Sequence, residues 1–361
     1  MARETFKNYL HYDKIFSLVS EIFQKAGLSK EHADAVTDNF LMADLRGISS
    51  HGISRMMVYC TRVANGLINP NPDIRIVKEA PAAVTFDGDN GMGVVVSTLA
   101  MEDCIARAEK YGIAAAAVRN SNHYGIAAYY AFMAAEKGMI GMSFTTAPPS
   151  IAPWGGMEPM FGTNPICIVV PAKKYRPLVF DAATSVVARG KINLADIEGT
   201  DIPEGWAVTK DGYPTTDPKE ALSGVMLPFG TYKGSALTMM VAIMCSELSA
   251  GLSNPDLPNL YGNMKQKQDV GHFFVALDVS KFTDYDDFTQ RIDSLIDRIK
   301  ANPVRPDVER LYYSGEIEYE NEDFFRENGI GCGDGVLNDI RILCEKFGIP
   351  TERVTDCIKK A

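Results

Sequence analysis

Asp44-Leu-Arg-Gly-Ile-Ser-Ser-His-Gly-Ile-Ser-Arg-Met-Met-Val-Tyr59 is the stretch around which the rest of this chain is organised. The imidazole of His51 directly follows Ser50, and Arg55 and Tyr59 come at intervals of four residues. If a helix begins soon after His51, Arg55 and Tyr59 lie one turn apart on one face. A guanidinium holds a carboxylate by two parallel hydrogen bonds, and an imidazole can pass a proton near neutral pH. The stretch therefore predicts a site for a carboxylic acid, with an ordinary helix start as the alternative.

The composition indicates a globular protein of the reducing cytosol. Of 361 residues, 46% are hydrophobic and 23% are charged, which is enough to bury a sizeable core in two domains. The net charge is −10 and basic residues form no run, which argues against nucleic acid as a partner. The seven cysteines never form a CxxC pair, so we expect free thiols. A polar start at Met1–Leu10 and short apolar runs predict neither a signal peptide nor a membrane partner. We therefore expect a cytoplasmic protein.

Both ends of the chain have helical apolar spacing. Ser29 resembles an N-cap, and Gly66 with Pro70 and Pro72 resembles a linker. The spacing predicts helices over Tyr12–Lys25, Ser29–Leu45, about Ser54–Asn65, Phe288–Ala301, Asn338–Phe347 and Thr351–Lys359. We therefore predict a helical unit of residues 1–72, with the C-terminal helices from about 280–361 packing on it.

Residues 73–280 are predicted to form an α/β domain. Strand-like runs are Ala82–Phe86, Ala114–Val118, Met139–Thr145, Ile166–Val170, Leu178–Phe180 and Gly271–Asp278. Helices are predicted at Val94–Lys110, Ala127–Glu136 and Ala236–Leu248, and residues 197–221 read as a polar surface excursion. Gly88, Gly91 and Gly93 are spaced Gly-x-x-Gly-x-Gly, and Arg119 rather than an acid follows the second strand. This spacing argues against a standard Rossmann domain.

Polar segments at strand ends are candidates for ligand binding. His123 could donate to a phosphate or a substrate, or it could be a loop histidine bonded to backbone. Asp181 could bind a hydroxyl, and Arg189 or Lys191 could bind a phosphate. The small side chains of Ala182 and Ala183 would let a flat ligand approach the backbone between these charges.

Two further candidates have structural alternatives. Lys233 lies at the start of a helix, where it could anchor a phosphate or carboxylate or simply be solvated. His272 alternates with apolar residues in a strand, which favours an interior histidine. His51, His123, His272 and Asp181 could in principle converge on a metal ion, but no HxH or HxxxH spacing is present, and we predict no metal.

Seven motifs, taken together, resemble the malate/L-lactate dehydrogenase family. They occur in family order over roughly residues 10 to 330, and each is weak alone. They are Leu45-Arg-Gly-Ile-Ser-Ser-His-Gly52, Asn122-His-Tyr-Gly125, Pro153-Trp-Gly-Gly156, Phe161-Gly-Thr-Asn-Pro-Ile166, Asp181-Ala-Ala-Thr-Ser185, Ala188-Arg-Gly-Lys191 and Tyr232-Lys-Gly234. The family also contains ureidoglycolate and sulfolactate dehydrogenases, diketogulonate reductases and piperideine-2-carboxylate reductases.

The resemblance implies an NAD(H)- or NADP(H)-dependent oxidoreductase, typically a homodimer, that interconverts a 2-hydroxy acid and a 2-oxo acid by hydride transfer. It also implies that the dinucleotide binds on a mixed or antiparallel sheet that is not a Rossmann fold, beside the helical domain built from both chain ends. Malate is the first candidate substrate, with lactate, sulfolactate, diketogulonate and piperideine-2-carboxylate as alternatives. The missing lysine between His123 and Pro153, except Lys137, makes ureidoglycolate a poorer match.

The resemblance also implies roles for individual residues. His51 would be the proton donor, oriented by Ser50, with His123 as the second candidate for that role. The substrate would be bound by Arg55, Tyr59 and Thr163. The residues that would line the cofactor are His123, Tyr124, Gly125, Ile126, Ala127, Asp181, Ala182, Ala183, Arg189, Lys191, Lys233, Gly234, Gly315 and Glu316.

One departure from the family pattern bears on the cofactor. The usual Pro-Gly-Glu-Arg reads Ser314-Gly-Glu-Ile317 here, and the missing cation favours NAD over NADP. Two other classes remain as alternatives to a dehydrogenase: a metal-dependent hydrolase or lyase, and a cofactor-binding protein that has lost catalysis.

Overall fold

The computed structural model describes residues 6–262 and 264–359. The α-helices in this part of the chain are α1 (Tyr12–Lys25), α2 (Lys30–Leu45), α3 (Met56–Ala64), α4 (Gly93–Tyr111), α5 (Ala128–Ala135), α6 (Arg189–Glu198), α7 (Pro218–Ser223), α8 (Tyr232–Ala242), α9 (Tyr285–Lys300), α10 (Glu316–Asn328), α11 (Asp334–Phe347) and α12 (Glu352–Cys357). The strands are β1 (Asn8–Leu10), β2 (Arg75–Ala80), β3 (Ala83–Asp87), β4 (Ile113–Ser121), β5 (Met139–Thr145), β6 (Ile166–Val170), β7 (Leu178–Ala182), β8 (Ala207–Val208), β9 (Val225–Met226), β10 (Val270–Asp278) and β11 (Ile330–Cys332).

A seven-stranded mixed sheet forms the middle of the molecule, in the order β2-β3-β4-β10-β5-β6-β7. The β3–β4 pair is parallel, and the other neighbouring pairs are antiparallel. The late strand β10 lies between β4 and β5, with His272 opposite Val118 on one side and Thr145 on the other. The α/β class with a large mixed sheet is therefore as predicted.

Small residues on β4 let helices pack closely on this sheet. Ala114 and Ala116 are fully or almost fully buried, and Phe274 and Ala276 of the adjacent β10 belong to the same core. Truncating a fully buried aromatic such as Phe274 costs about 3–5 kcal/mol of stability, because a cavity remains. This core holds the end of β4, and therefore the polar loop that follows it, in a fixed position.

A second core combines the two ends of the chain. The side chains of Ile15, Leu18 and Ile22 on α1 are fully buried, and buried residues of α2, α3, α11 and α12 pack with them. Ser29 is the N-cap of α2, because its hydroxyl accepts the His32 N–H at 3.1 Å. The short pair β1–β11 also joins the two ends. The division at residues 72 and 280 stays a prediction.

The C-terminal contribution to this core begins later than residue 280. Phe325 and the buried residues after Ile330 pack with the N-terminal helices. Ile296 of α9, with Tyr313 and Tyr319, packs instead in the core of the large sheet.

The sequence reading missed several elements. The strands β1 and β11 have three residues each, and β2 is exposed along its whole length. The helix α10 buries only Tyr319 and Phe325. None of these four elements therefore gives a periodic apolar signal in the sequence. Residues 197–221 are not merely a surface excursion. They contain β8 and most of α7, and Ile202, Ala207 and Ala221 share a small core with Ile192.

Candidate active site

The segment between α2 and α3 folds back onto the end of α2. It consists of two single 3-10 turns, Ser49–His51 and Ile53–Arg55. The Asp44 carboxylate accepts the Ile53 N–H at 2.9 Å, and a Cβ at Gly52 would lie 1.9 Å from the same carboxylate. Only glycine fits between this carboxylate and the backbone. The Ser-His-Gly motif therefore fixes the path of the chain as well as presenting an imidazole.

Two imidazoles face each other at this point. The rings of His51 and His123 are stacked, with centroids 5.6 Å apart and planes at 27°. Nδ1 of His51 lies 2.9 Å from the Ser50 hydroxyl, so Nε2 is the nitrogen left for a ligand. Both histidines are half-buried. The structure thus brings together the two candidates for the acid–base role.

The tautomer of His123 is set by its neighbours. The Gly125 N–H donates to Nδ1 at 3.3 Å, and the Tyr59 hydroxyl lies 2.6 Å from the same nitrogen. Burial raises the pKa of Tyr59, so this hydroxyl keeps its proton and can donate it to Nδ1 or to the His123 carbonyl, which lies 3.0 Å away. Nδ1 of His123 is therefore an acceptor, and the neutral ring carries its proton on Nε2.

Arg55 completes this cluster. Its Nε donates to the Ser50 carbonyl at 2.5 Å, and its guanidinium carbon lies 5.0 Å from the centroid of the Tyr261 ring. Desolvation lowers the pKa of Arg55, but a guanidinium starts so high that it stays charged at neutral pH. A half-buried, permanent positive charge therefore lies beside the two imidazoles.

The surroundings keep both imidazoles neutral in the free protein. Desolvation, and then the charge of Arg55, lower the pKa of His51 to about 4. The pKa of His123 is well below its ordinary value, first because of burial and then because of His51 and Arg55. At pH 7 the cluster therefore holds two neutral imidazoles and one fixed cation.

The loop after β4 is held by side chains from other elements. Asn39 on α2 donates to the Tyr124 carbonyl at 3.3 Å and accepts the Ile126 N–H at 3.4 Å. Gly125 has a φ of +76°, and a Cβ there would lie 1.8 Å from the Asn39 side chain. This packing orients His123 toward His51.

His272 is an interior residue, as predicted. It is fully buried, its Nδ1 lies 2.7 Å from the Thr145 hydroxyl, and its Nε2 lies 3.0 Å from the Ser121 hydroxyl. Burial lowers its pKa to about 3. Because both nitrogens are engaged, His272 does not join His51 and His123 in a metal site.

Asp181 connects the end of β7 to the loop after β4. Its carboxylate accepts the Ala128 N–H at the start of α5, at 3.1 Å. Ala182 is the last residue of β7, where it pairs with Ile166, and Ala182 and Ala183 are both half-buried. Small side chains therefore lie between the carboxylate and the segment that leads to Arg189.

The other predicted residues have no described contact with the imidazole cluster. The Thr163 carbonyl accepts the Thr184 N–H at 2.8 Å, and a Cβ at Gly234 would lie 1.8 Å from the Phe229 carbonyl. Gly315, with a φ of +97°, caps α10, and Glu316 forms an ion pair with Lys300.

Three exposed cations fit the chemistry of a dinucleotide pyrophosphate. The Val186 N–H donates to Leu227 and the Phe229 N–H to Thr184, so the chain segments that lead into α6 and α8 are paired. Arg189, Lys191 and Lys233 follow these segments, and none of them has a salt-bridge partner in the part of the chain that the structure describes. Cations without a carboxylate partner are suited to bind phosphate.

Sequence reasoning missed the residues that support the cluster. Asn39 is one of several polar residues on α2, and Tyr261 and Gln268 lie in an irregular segment more than 130 residues from His123. Gln268 accepts the His123 N–H at 3.4 Å. No local pattern marks such contacts. Asp44, in contrast, begins the motif that contains His51 and Arg55, and its position there could have indicated a supporting role.

Two facing imidazoles beside a fixed guanidinium place groups that can exchange a proton next to a group that can bind a small anion. A family model described as malate/L-lactate dehydrogenase matches residues 10–341. The chain is 40% identical over 353 residues to the malate dehydrogenase of Pyrococcus abyssi, covering 95% of this chain and 96% of that one. It is 40% identical over 342 residues to the L-sulfolactate dehydrogenase of Methanocaldococcus jannaschii, covering 93% and 96%.

Two solved structures are also similar to this chain over most of its length. Sulfolactate dehydrogenase from Methanocaldococcus jannaschii has a TM-score of 0.90 at 38% identity, covering 95% of this chain and 98% of that one. Malate dehydrogenase from Pyrococcus horikoshii has a TM-score of 0.88 at 35% identity, covering 97% and 99%. The chain belongs to the malate/L-lactate dehydrogenase family, and it is an oxidoreductase that acts on 2-hydroxy acids. Within the described residues, no helix has the length and apolarity to cross a membrane.

Proposed function

We propose that the protein interconverts malate and oxaloacetate with NAD(H), using His51 as the proton donor and acceptor. The observation that carries this proposal is the cluster of Arg55, His51 and His123, which combines a carboxylate-binding group with two facing imidazoles that can reach one substrate oxygen. Relatives named malate dehydrogenase, at 38–40% identity, support malate as the first candidate. Relatives named sulfolactate dehydrogenase, at 36–40% identity, make sulfolactate the second.

Arg55 would bind the carboxylate next to the reacting carbon. Because Nε already donates to Ser50, the two terminal nitrogens remain for a bidentate contact with the carboxylate. Thr163 and Tyr59 would contribute further polar contacts. Fixing the carboxylate in this way orients C2 and its oxygen toward the imidazoles, which converts binding energy into a reactive alignment.

His51 is the better proton carrier of the two histidines. Its Nε2 can gain or lose a proton while the Ser50 hydroxyl rotates to donate to Nδ1 or to accept from it. Protonating neutral His123 would instead put a hydrogen on Nδ1, against the Gly125 N–H. His123 would therefore keep its Nε2–H as a fixed donor to the substrate oxygen. Neutral His51 would accept the hydroxyl proton when the 2-hydroxy acid is oxidised, and in the reverse direction it would first take a proton from solvent and then give it to the developing alkoxide.

When bound, the nicotinamide supplies the hydride to C2 of the 2-oxo acid or accepts it from the 2-hydroxy acid. Asp181 would bind a ribose hydroxyl of the cofactor. The small residues Ala182 and Ala183 would lie beside the nicotinamide ring, and residues 123–127 would line the cofactor. Arg189, Lys191, Lys233 and Gly234 would hold the phosphates, and Gly315 with Glu316 the adenosine end. This is a binding mode on a mixed sheet, distinct from a Rossmann fold.

NAD would be preferred over NADP. Ile317 stands where the family pattern has an arginine, and the carboxylate of Glu316 is unsuited to an adenosine 2′-phosphate. The kcat/KM values for NADH and NADPH with oxaloacetate, sulfopyruvate and pyruvate test both choices. We expect the highest value for oxaloacetate with NADH. A hundredfold preference for NADPH would contradict the cofactor assignment, and a hundredfold preference for sulfopyruvate would contradict the substrate assignment.

The protein would act as a cytoplasmic homodimer. Leu237, Met239, Met240 and Ile243 on and after α8 are each 38–43% exposed, although this segment is strongly apolar. Exposed apolar residues grouped on one element are typical of an interface. All seven cysteines are buried free thiols, as expected in a reducing compartment. Sedimentation velocity tests the assembly, and a monomer at micromolar concentration would contradict it.

A further inference from the structure

Tyr261 covers the face of the guanidinium that is assigned to the substrate. Its ring centroid lies 5.0 Å from the guanidinium carbon of Arg55, although the side chain of Tyr261 is 52% exposed. A guanidinium this close to the face of a tyrosine ring is attracted by the ring quadrupole. We propose that Tyr261 is a positioning residue that aims Arg55 at the substrate carboxylate. This inference rests on the proposed function of Arg55.

The backbone around Tyr261 is anchored to the helix that follows Arg55. Arg62 on α3 is fully buried, and its guanidinium donates to the carbonyls of Leu260 at 3.3 Å and Gln266 at 2.9 Å. The Asn259 side chain accepts the Tyr261 N–H at 2.8 Å, which fixes the turn. The backbone next to the ring is thus attached to the helix that directly follows the cation that the ring covers.

The other end of this segment contacts the second imidazole. Gln268 is almost fully buried, accepts the His123 N–H at 3.4 Å and donates to the Pro258 carbonyl at 3.3 Å. The segment therefore joins the substrate-binding side of the cluster to the proton-transfer side. Its contact with His123 joins the Gln268 side chain to the His123 backbone, whereas its contact with Arg55 joins the Tyr261 ring to the Arg55 side chain.

This arrangement leaves one edge of the guanidinium for a ligand. Nε donates to the Ser50 carbonyl and one face of the group is covered by Tyr261, so the two terminal nitrogens are the donors left for a ligand. The long Arg55 side chain loses conformational entropy when it is held in one rotamer. The Tyr261 ring would hold it in that rotamer already in the free protein, so that less entropy is lost when the substrate binds. Removing the ring should therefore weaken substrate binding and leave the chemical step unchanged.

The test compares Tyr261→Ala, Tyr261→Leu and Tyr261→Phe. We expect the alanine and leucine variants to raise KM for oxaloacetate about 2- to 5-fold, with kcat and NADH affinity unchanged, because an exposed cation–π contact is of that size. The phenylalanine variant should match the wild type. Tyr111→Ala is the matched control, since Tyr111 is 45% exposed with the Lys110 ammonium 5.0 Å from its ring. A lowered KM in the alanine variant would mean that Tyr261 blocks Arg55, and it would overturn the proposal.

The Arg55→Ala background separates positioning from general support of the segment. There, Tyr261→Ala should have no further effect on KM, because the residue that it positions is gone. An unchanged effect in that background would overturn the proposal. Equilibrium binding of oxalate provides a readout without turnover: a weakened oxalate affinity in Tyr261→Ala, with no turnover of any 2-oxo acid by the wild type, would support the role of Tyr261 and contradict the proposed function.

Discussion

Gly52→Ala should damage both stability and catalysis, although it adds a single methyl group. The new Cβ would lie 1.9 Å from one carboxylate oxygen of Asp44 and 2.3 Å from the other. The carboxylate must move, and it then loses the Ile53 N–H that it accepts at 2.9 Å. A hydrogen bond to a buried charged group contributes about 1.5–3 kcal/mol, so with some strain we expect a loss of about 2–4 kcal/mol in the free energy of unfolding.

The catalytic loss follows from the position of the substitution. Gly52 is adjacent to His51, and a displacement of about 1 Å in a reacting group can lower the rate about 100-fold. Urea unfolding and kcat/KM for oxaloacetate measure the two effects. Gly335→Ala is the control, because a Cβ there meets no atom within 4 Å and the residue lies in the first turn of α11. If Gly52→Ala matched the wild type in both assays, the account of how the motif presents His51 would be refuted.

Two further predictions concern charge. Arg55→Ala should raise KM for oxaloacetate about 10- to 100-fold and leave the dissociation constant of NADH unchanged, because a charged hydrogen-bonded pair of about 1.5–3 kcal/mol is lost; a loss of NADH binding in fluorescence titrations would contradict this role. The free energy of unfolding should fall as the pH falls below the ordinary histidine range, because the pKa of His272 is lowered to about 3 and the unfolded chain then binds a proton that the folded one does not. At about pH 5 this single residue should account for about 2 kcal/mol. His272→Gln, although less stable at neutral pH, should show a shallower pH dependence in urea titrations, and an unchanged dependence would argue against a neutral buried His272.

The local parts of the site could be predicted because their signal is local. Ser50, His51 and Arg55 belong to one motif, and Ser29 begins a periodic helix. The side-chain types of His51 and Arg55 indicate proton transfer and carboxylate binding even without knowledge of the fold. The pairing of His51 with His123 needed the resemblance, since 72 residues separate them and no spacing rule connects them.

The supporting residues could not be predicted because their contacts depend on topology. The strand β10 enters the sheet between β4 and β5, and this brings the segment just before it, with Gln268 and Tyr261, to the loop after β4. A polar residue in such a segment is indistinguishable from a solvated one. The apolar residues of α8 differ from the prediction in the opposite sense. From their side-chain type Leu237 and Met240 would be expected in the core, but both are exposed in the single chain.

The central claim is that His51, rather than His123, transfers the proton. Single-turnover reduction of oxaloacetate by the NADH complex, followed at 340 nm as a function of pH in His51→Gln and His123→Gln, tests it most directly. We expect His51→Gln to slow the step about 100- to 10,000-fold and to abolish its pH dependence, whereas His123→Gln should slow it while keeping that dependence. A His51→Gln enzyme with near-normal turnover and an inactive His123→Gln enzyme would contradict the account and exchange the two roles.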